Sequence, residues 1–418
     1  MPNEEAAGTG PAHSASKGRI LRVMRHRFSI STVLVLCLVH CAAAGSVLAQ
    51  SLELKFWPPD KLYTYTVAEP WLHDVVLQNV AIINRSGKSI TLERLQLSAL
   101  NNGQTKQDRF LEFANLAANL KSFQAKYAAG EMKVWDAEYH LSSFFHDAKL
   151  TDSPRLDPNE GITVRDQYLA LNDQADTLRV TAFGKADDGA TVEVSAALPL
   201  EPYQSKTTLR LPLVGSWQVA NGPFPFTSHR WIIHQEFAYD LWKLDADGND
   251  HRGDGSKYDD YYSYGQPVIA PADATVYELR NDADDAPLLN DAVIKDQAEF
   301  IRKISAYRDM LFQRGGYDEL GGNHLILDHG NGEWSLLAHL KKGSIRVKKG
   351  DKVRQGEPLG LVGNSGLSNV PHLHYELVAA PDLPHRRGLP LRFSNLNDEP
   401  GARVLRFGEF VRNGPPAK

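Results

Sequence analysis

Between Leu52 and Leu200 the apolar residues fall in short runs with partial alternation: Val75 to Ile83, Ile90 to Leu97, Leu178 to Phe183 and Thr191 to Leu198. These runs are rich in strand formers, and Asn84-Arg85-Ser86-Gly87 and Asp187-Asp188-Gly189 supply turns around them. One segment breaks the period of two. Phe113, Leu116, Leu120, Phe123 and Tyr127 recur at helical spacing, and Gly130 stops the run. The pattern predicts a β-sandwich-like domain with one inserted helix over residues 50–207, closed by a linker at Glu201 to Thr207. A second β-rich region runs to about Val378 within a domain spanning 208–394, with 395–418 left as a tail. It carries two insertions. Asp245 to Tyr264 reads as a polar loop, because Asp245-x-Asp247-x-Asn249 lacks the glycine and distal glutamate of a calcium loop in their places. Asp291 to Gln313 predicts a helix with Phe300, Ile304, Tyr307 and Leu311 on one face, ended by Gly315-Gly316. Lying between two strands of the second domain, that helix either covers a groove there or packs elsewhere.

A length of 418 residues suits two domains, and 42% hydrophobic with 23% charged residues is an ordinary globular balance. Arg25-His26-Arg27 precede an apolar run from Ile30 through Val47, and Val47-Leu48-Ala49 offers a cleavage pattern before Gln50. Residues 1–49 are therefore expected to be a signal peptide, with Met24 a plausible alternative start, and no stable membrane insertion is expected after cleavage. This segment holds five basic residues against two acidic ones, +3, which leaves −8 for the rest of a chain at −5 overall. That balance argues against nucleic-acid binding through phosphate attraction. Cys37 and Cys41 both lie in the segment to be removed, so a metal site in the mature chain must use His, Asp or Glu.

The string Pro371-His372-Leu373-His374-Tyr375-Glu376-Leu377 carries the chemistry. Residues two apart on a strand share a face, so His372 and His374 present two imidazoles together. Leu336 to Leu340 reads as a strand ending near His339. Gln235 to Leu241 places Asp240 within an apolar strand, where an unpaired charge is costly. Two imidazoles and one carboxylate around zinc, with a fourth position open to water, is an arrangement used by hydrolytic zinc sites.

Six ordered segments then resemble the lysostaphin-like zinc metallopeptidases, whose catalytic module is called the LytM domain. They are Gln235 to Asp240; Tyr264-Gly265-Gln266-Pro267-Val268-Ile269-Ala270-Pro271; Gly322-Asn323-His324 through Gly330; Leu337-Ala338-His339-Leu340; Val347 to Gly356; and Gly363-Asn364-Ser365-Gly366 leading to His374. The resemblance covers roughly Ser228 to Val378 without the two insertions. It implies a LytM-type β-sheet peptidase domain, and with the sandwich-like domain before it and the helical insertion read from the pattern, the expected fold is mainly β throughout. It also implies a zinc endopeptidase cutting peptide bonds in the stems or cross-bridges of peptidoglycan, which the leader pattern would make an exported one. By position, Asp240 and His374 would bind Zn2+ with one upstream histidine, His372 would act as base toward water, and His339 would stabilise the oxyanion.

The upstream ligand is His229 or His234. A straight strand rises about 3.3 Å per residue, which would hold His234 roughly 20 Å from Asp240 without a turn, so either candidate needs the chain to double back. Ten residues separate His229 from Asp240, room for a hairpin, whereas five separate His234. Ser228-His229-Arg230 also resembles the start of this motif in relatives with a longer gap. His229 is the choice, although Trp231-Ile232-Ile233 is an apolar composition for a loop. The competing function is a non-catalytic activator or scaffold of other wall hydrolases. Besides peptidoglycan, the expected partners are other cell-wall proteins reached through the N-terminal domain. No wall-sorting signal is visible, which favours a periplasm over the exterior.

Overall fold

The computed structural model describes residues 51–66, 72–130, 136, 138–289, 294, 296–382, 385–394, 396 and 401–413. The expected signal peptide at 1–49 lies outside them, and among the described residues no helix is long and apolar enough to cross a membrane. The chain is mainly β. Among the described residues its N-terminal module has ten strands: β1 Leu52–Trp57, β2 Leu62–Thr66, β3 His73–Asn84, β4 Ile90–Asn101, β5 Gln104–Glu112, β6 Lys149–Leu150, β7 Arg155–Leu156, β8 Glu160–Leu171, β9 Thr177–Ala186 and β10 Thr191–Pro202. The path β5-β4-β9-β10-β2-β3-β8-β6 is held at its centre by a short parallel pairing of Leu200 to Pro202 with Leu62 to Thr64. Leu62, Val80 and Ile82 on one side meet Leu95, Leu97 and Val180 on the other in one buried cluster, as two packed sheet halves require.

The run Val75 to Ile83 is continuously apolar at its ends because β3 is covered on both faces. Val80 and Ile82 face the main cluster, whereas Ala81 and Ile83 meet Phe123 of the helix α1 (Phe113–Ala128) and the turn at Leu141–Phe144. In its middle, Gln78 and Asn79 are buried and polar. Asn79 donates to the Tyr139 carbonyl at 2.6 Å, and Gln78 donates to the Arg230 carbonyl at 3.3 Å.

The second module is built on strands β11 Leu209–Arg210, β12 Gly215–Asn221, β13 Tyr239–Trp242, β14 Pro267–Ile269, β15 Ala274–Arg280, β16 His324–Asp328, β17 Trp334–Ala338, β18 Lys352–Val353, β19 Pro358–Leu361 and β20 Leu373–Val378. Three more follow: β21 Phe393–Ser394, β22 Ala402–Arg403 and β23 Phe410–Asn413. Eight of these form a sheet in the order β18-β15-β16-β17-β20-β13-β12-β23. The stretch 395–418, expected as a tail, thus includes an edge strand paired with β12 from Gly215 opposite Asn413 to Gln218 opposite Phe410. The helical insertion is α2, Gln297–Gly315, whose N-cap Asp296 accepts from the Ala298 amide at 2.9 Å. The polar loop holds itself together: Asp245 accepts from the amides of Asp247 and Asn249 at 2.9 Å each.

Tyr63 and Tyr65 of β2 pack in the core of the second module, and the Tyr65 and Tyr239 hydroxyls are 2.8 Å apart. Glu333 accepts from the Lys206 and Thr207 amides and from the hydroxyls of Thr207 and Tyr203, which fastens the linker to the second sheet.

Candidate active site

Three neighbouring strands set the site. Asp240 on β13 lies opposite His374 on β20, and Ala338 at the end of β17 lies opposite the same histidine. The strand expected over Gln235 to Leu241 is shorter than its composition suggests. Gln235 to Ala238 form turns, with the Ala238 amide bonded to the Gln235 carbonyl at 2.8 Å, and only Tyr239–Trp242 is extended. Those turns reverse the chain, so a 3-10 turn at His229–Trp231 returns His229 beside Asp240. The apolar loop has a reason as well. Ile233 is buried, and Trp231 meets Tyr168 of β8 edge-on at 6.3 Å between centroids.

His229 Nε2 lies 3.3 Å from Asp240 Oδ2, and His374 Nδ1 lies 2.9 Å from Asp240 Oδ1. One ligand atom from each of these three residues falls within 4.8 Å of the others. His229 keeps Nε2 for this cluster because its Nδ1 faces the Ala238 carbonyl at 3.3 Å. The other nitrogen of His374, Nε2, has no hydrogen-bond partner among the described residues and lies 3.9 Å from Glu376 Oε2. Asn221 donates to Asp240 Oδ2 at 3.1 Å. Such a donor set, nitrogen and carboxylate oxygen without sulfur, fits zinc and other borderline divalent ions.

His372 and His339 complete the cluster. Their ring centroids are 4.8 Å apart, and His372 Nε2 is 3.5 Å from Asp240 Oδ1. His372 donates through Nδ1 to the Val370 carbonyl at 2.8 Å, and His339 through Nδ1 to the Ser365 carbonyl at 2.8 Å. With Nδ1 donating to a carbonyl, the neutral form of either ring leaves Nε2 without a proton. His339 has a φ of 63°, a left-handed backbone uncommon for a non-glycine residue and placed where strand β17 ends. Gly366, after Ser365, also has positive φ (76°), and a Cβ there would lie 2.4 Å from the Leu320 carbonyl, so a side chain is excluded beside the His339 anchor.

Burial pushes His229 down to about 4 and holds His339 well below the usual histidine range. Burial opposes the charged forms of Asp240 and His374 too. Neighbouring imidazoles nevertheless keep the Asp240 carboxyl well below its ordinary value, and the hydrogen bonds and charges of Asp240 and Glu376 raise His374 to about 10. His234 stands apart from the three-residue cluster. It is buried, edge-on to Tyr317 at 5.1 Å, and lines the same cavity of about 360 Å³. Phe300, Ile304 and Arg308 of α2 line that cavity along with Glu138 of the N-terminal module, so the helical insertion forms part of its wall. Asn221, Glu376 and Glu138 carried no spacing signal. Glu376 alone was within reach of the strand argument, two residues past His374.

Residues 294–383, which include His339, His372 and His374, match the sequence profile of peptidase family M23. The chain carries a peptidase family M23 domain. Over 76 residues, 18% of this chain, it is 42% identical to the peptidoglycan DD-endopeptidase ShyA of Vibrio cholerae, across 16% of that protein. The DD-carboxypeptidase/endopeptidase Mpg of Neisseria meningitidis is 44% identical over 64 residues, 15% of this chain and 13% of that protein. The matched segments thus span about a sixth or less of these relatives' lengths. Among solved structures, the catalytic domain of lysostaphin from Staphylococcus simulans aligns with 41% of this chain and 86% of its own at 17% identity and a TM-score of 0.23, too low to carry weight beside the M23 match. His229 and Asp240 lie upstream of the matched M23 segment.

Proposed function

We propose that this chain is an exported zinc metalloendopeptidase that hydrolyses peptide bonds in peptidoglycan stems or cross-bridges, acting in a periplasm. The observation that carries the reading is the convergence of His229, Asp240 and His374 within 4.8 Å, with His339 and His372 beside them in one cavity. The M23 match, relatives named as peptidoglycan endopeptidases and the leader pattern before Gln50 support substrate and export.

His229 through Nε2, Asp240 through its carboxylate and His374 through Nδ1 would hold the zinc. When bound, zinc supplies Lewis acidity toward the scissile carbonyl and toward water. Glu376 faces His374 Nε2 and fixes which nitrogen turns inward, as outer-shell carboxylates do. His372 receives the proton of the attacking water at its bare Nε2, with Val370 holding the ring in that tautomer. His339 has the same tautomer, so it donates to the oxyanion only after taking up a proton at Nε2. Burial disfavours that charged form, so His339 would donate only while the oxyanion's negative charge is present beside it, and the proton received by His372 passes to the leaving amine nitrogen as the peptide bond breaks. Asn221 holds the second oxygen of Asp240 in place.

The test combines zinc content with mass analysis of muropeptides after digestion by the mature protein. His374→Ala and Asp240→Ala are expected to lose both zinc and cleavage, and His372→Ala and His339→Ala to keep zinc while turnover collapses. Full activity in His372→Ala, or zinc loss in His234→Ala but not His229→Ala, refutes these roles.

A further inference from the structure

We infer that the cleft between α1, β8 and α2 is a second binding site, continuous with the active-site cavity, for a carboxylate-bearing peptide stretch of the same wall polymer; the inference rests on the peptidase reading above. The cleft has a volume of about 820 Å³. Leu116, Leu120 and Phe123 of α1 form one wall, and Ser305, Arg308 and Asp309 of α2 form the other. Ser305 and Arg308 also line the cavity that holds His229, Asp240 and His374, so the two spaces meet along one face of α2.

The floor of the cleft is an irregular strand. Opposite Gln78 of β3, Asp166 of β8 drops out of pairing and takes a φ of 57°. The inward-facing set changes parity across this point: Ile162 and Val164 face the core before it, Leu169 and Leu171 after it. Five consecutive residues of β8, Thr163 to Gln167, border the cleft, and the last three carry charged or amide groups. The left-handed backbone at Asp166 sits in the middle of this polar stretch, and an uncommon backbone held at a cleft wall is a pointer to recognition.

The groups present define the ligand. Gln167 borders the cleft and is 8% exposed, and among the described residues its buried Oε1 has no hydrogen-bond partner, an acceptor that a ligand amide N–H entering the wall would satisfy. Two acids are already engaged: Asp166 accepts from the Tyr139 hydroxyl at 2.9 Å and faces Arg165 at 3.9 Å, and Asp309 pairs with Arg308 at 2.7 Å. Lys126 and Arg109 stand exposed at the rim, and Arg109 donates to a neutral backbone carbonyl, that of Tyr168. The cleft therefore carries two cations beyond its acids. Apolar α1 side chains, an amide acceptor and excess positive charge suit a peptide with free carboxylates.

The experiment measures anisotropy of fluorescent soluble peptidoglycan fragments with intact stem peptides, on the full mature chain carrying His372→Ala so that the probe survives. Adding Arg109→Glu and Lys126→Glu, both at exposed positions, is expected to weaken binding roughly fivefold or more at low salt, with the difference shrinking as salt rises. Fragments with amidated carboxylates are expected to bind both proteins alike. Equal affinity of the two proteins for the unmodified fragments, or no binding by either, overturns the inference. A parallel assay follows cleavage of a short cross-linked peptide by the chain with native His372. Failure there, alongside the charge-reversal effect, rejects the peptidase reading and leaves the cleft standing as a binding site.

Discussion

Arg230 follows His229 directly, is fully buried, and is held between two carboxylates from different modules. Asp74 of β3 accepts from it at 2.7 Å, and Glu236 accepts from its other terminal nitrogen. Phe237 lies under the guanidinium at 5.1 Å. Burial pushes both carboxyls above their usual range even with the guanidinium between them. Asp74→Ala removes the partner supplied by the N-terminal module. Breaking a buried pair outright costs about 3–5 kcal/mol. Here Glu236 still neutralises the arginine, so the low end applies, about 3 kcal/mol. At a urea slope of roughly 3 kcal/mol per M, that lowers the midpoint by about 1 M. Asp74→Asn keeps an acceptor oxygen toward Arg230 and loses only the charge, so its cost is smaller, about 1–2 kcal/mol. Because Arg230 anchors the turn that presents His229, zinc affinity measured by chelator competition is expected to fall roughly tenfold in Asp74→Ala, the usual scale for outer-shell supports. A midpoint and a zinc affinity both within error of the unmodified protein would falsify the view that the N-terminal module positions the site.

Three further outcomes are expected. Glu138 is buried, bonded to the Tyr317 hydroxyl at 2.8 Å, and burial raises its carboxyl to about 8. Its contribution to stability is thus full below the ordinary value of 4.5 and is lost as pH climbs through about 8. Urea midpoints across that window are expected to decline by up to about 5 kcal/mol in equivalent stability, and Glu138→Gln to flatten the decline. An unchanged pH profile in Glu138→Gln refutes this. Gly366→Ala meets both a left-handed backbone and the Leu320 carbonyl, and is expected to cost more than about 2 kcal/mol and to reduce turnover by displacing the Ser365 carbonyl from His339. A variant that melts and turns over like the parent shows that the segment relaxes freely. Glu333→Ala leaves the Lys206 and Thr207 amides without their acceptor and is expected to cost about 2–4 kcal/mol by thermal unfolding. A loss below about 0.5 kcal/mol shows that water replaces the carboxylate.

What the sequence reveals here depends on how local the cause is. That His372, His374 and Asp240 come together was readable because strand periodicity and an apolar context mark them within a few residues. The long helices were readable for the same reason, with Phe300 and Ile304 at helical spacing now found in the cavity wall. The turn at Gln235 to Ala238 was not. Its composition is that of a strand, and only the buried Arg230–Glu236 pair and the packing of Trp231 on Tyr168 explain why it reverses. Edge strand β23 was equally silent, since its pairing with β12 joins residues almost two hundred positions apart.

The same distinction separates the chemistry from its support. A site of the proposed kind needs few residue types, and their spacing marks the candidates. Holding those residues needs partners of no special type: a carbonyl at Ser365 and another at Val370, an amide at Asn221, and an aspartate at position 74. Each is ordinary in its own neighbourhood and acquires a role only through contact with a distant segment. The left-handed His339 shows the two meeting in one residue. Its side chain was legible as a candidate in the sequence, whereas its backbone is fixed by amide and carbonyl bonds to Gly321 and Gly363. Substituting His339 therefore tests chemistry and local folding together. Gly366→Ala and Asp74→Ala separate them, because they disturb the support while every proposed ligand and proton carrier remains in place.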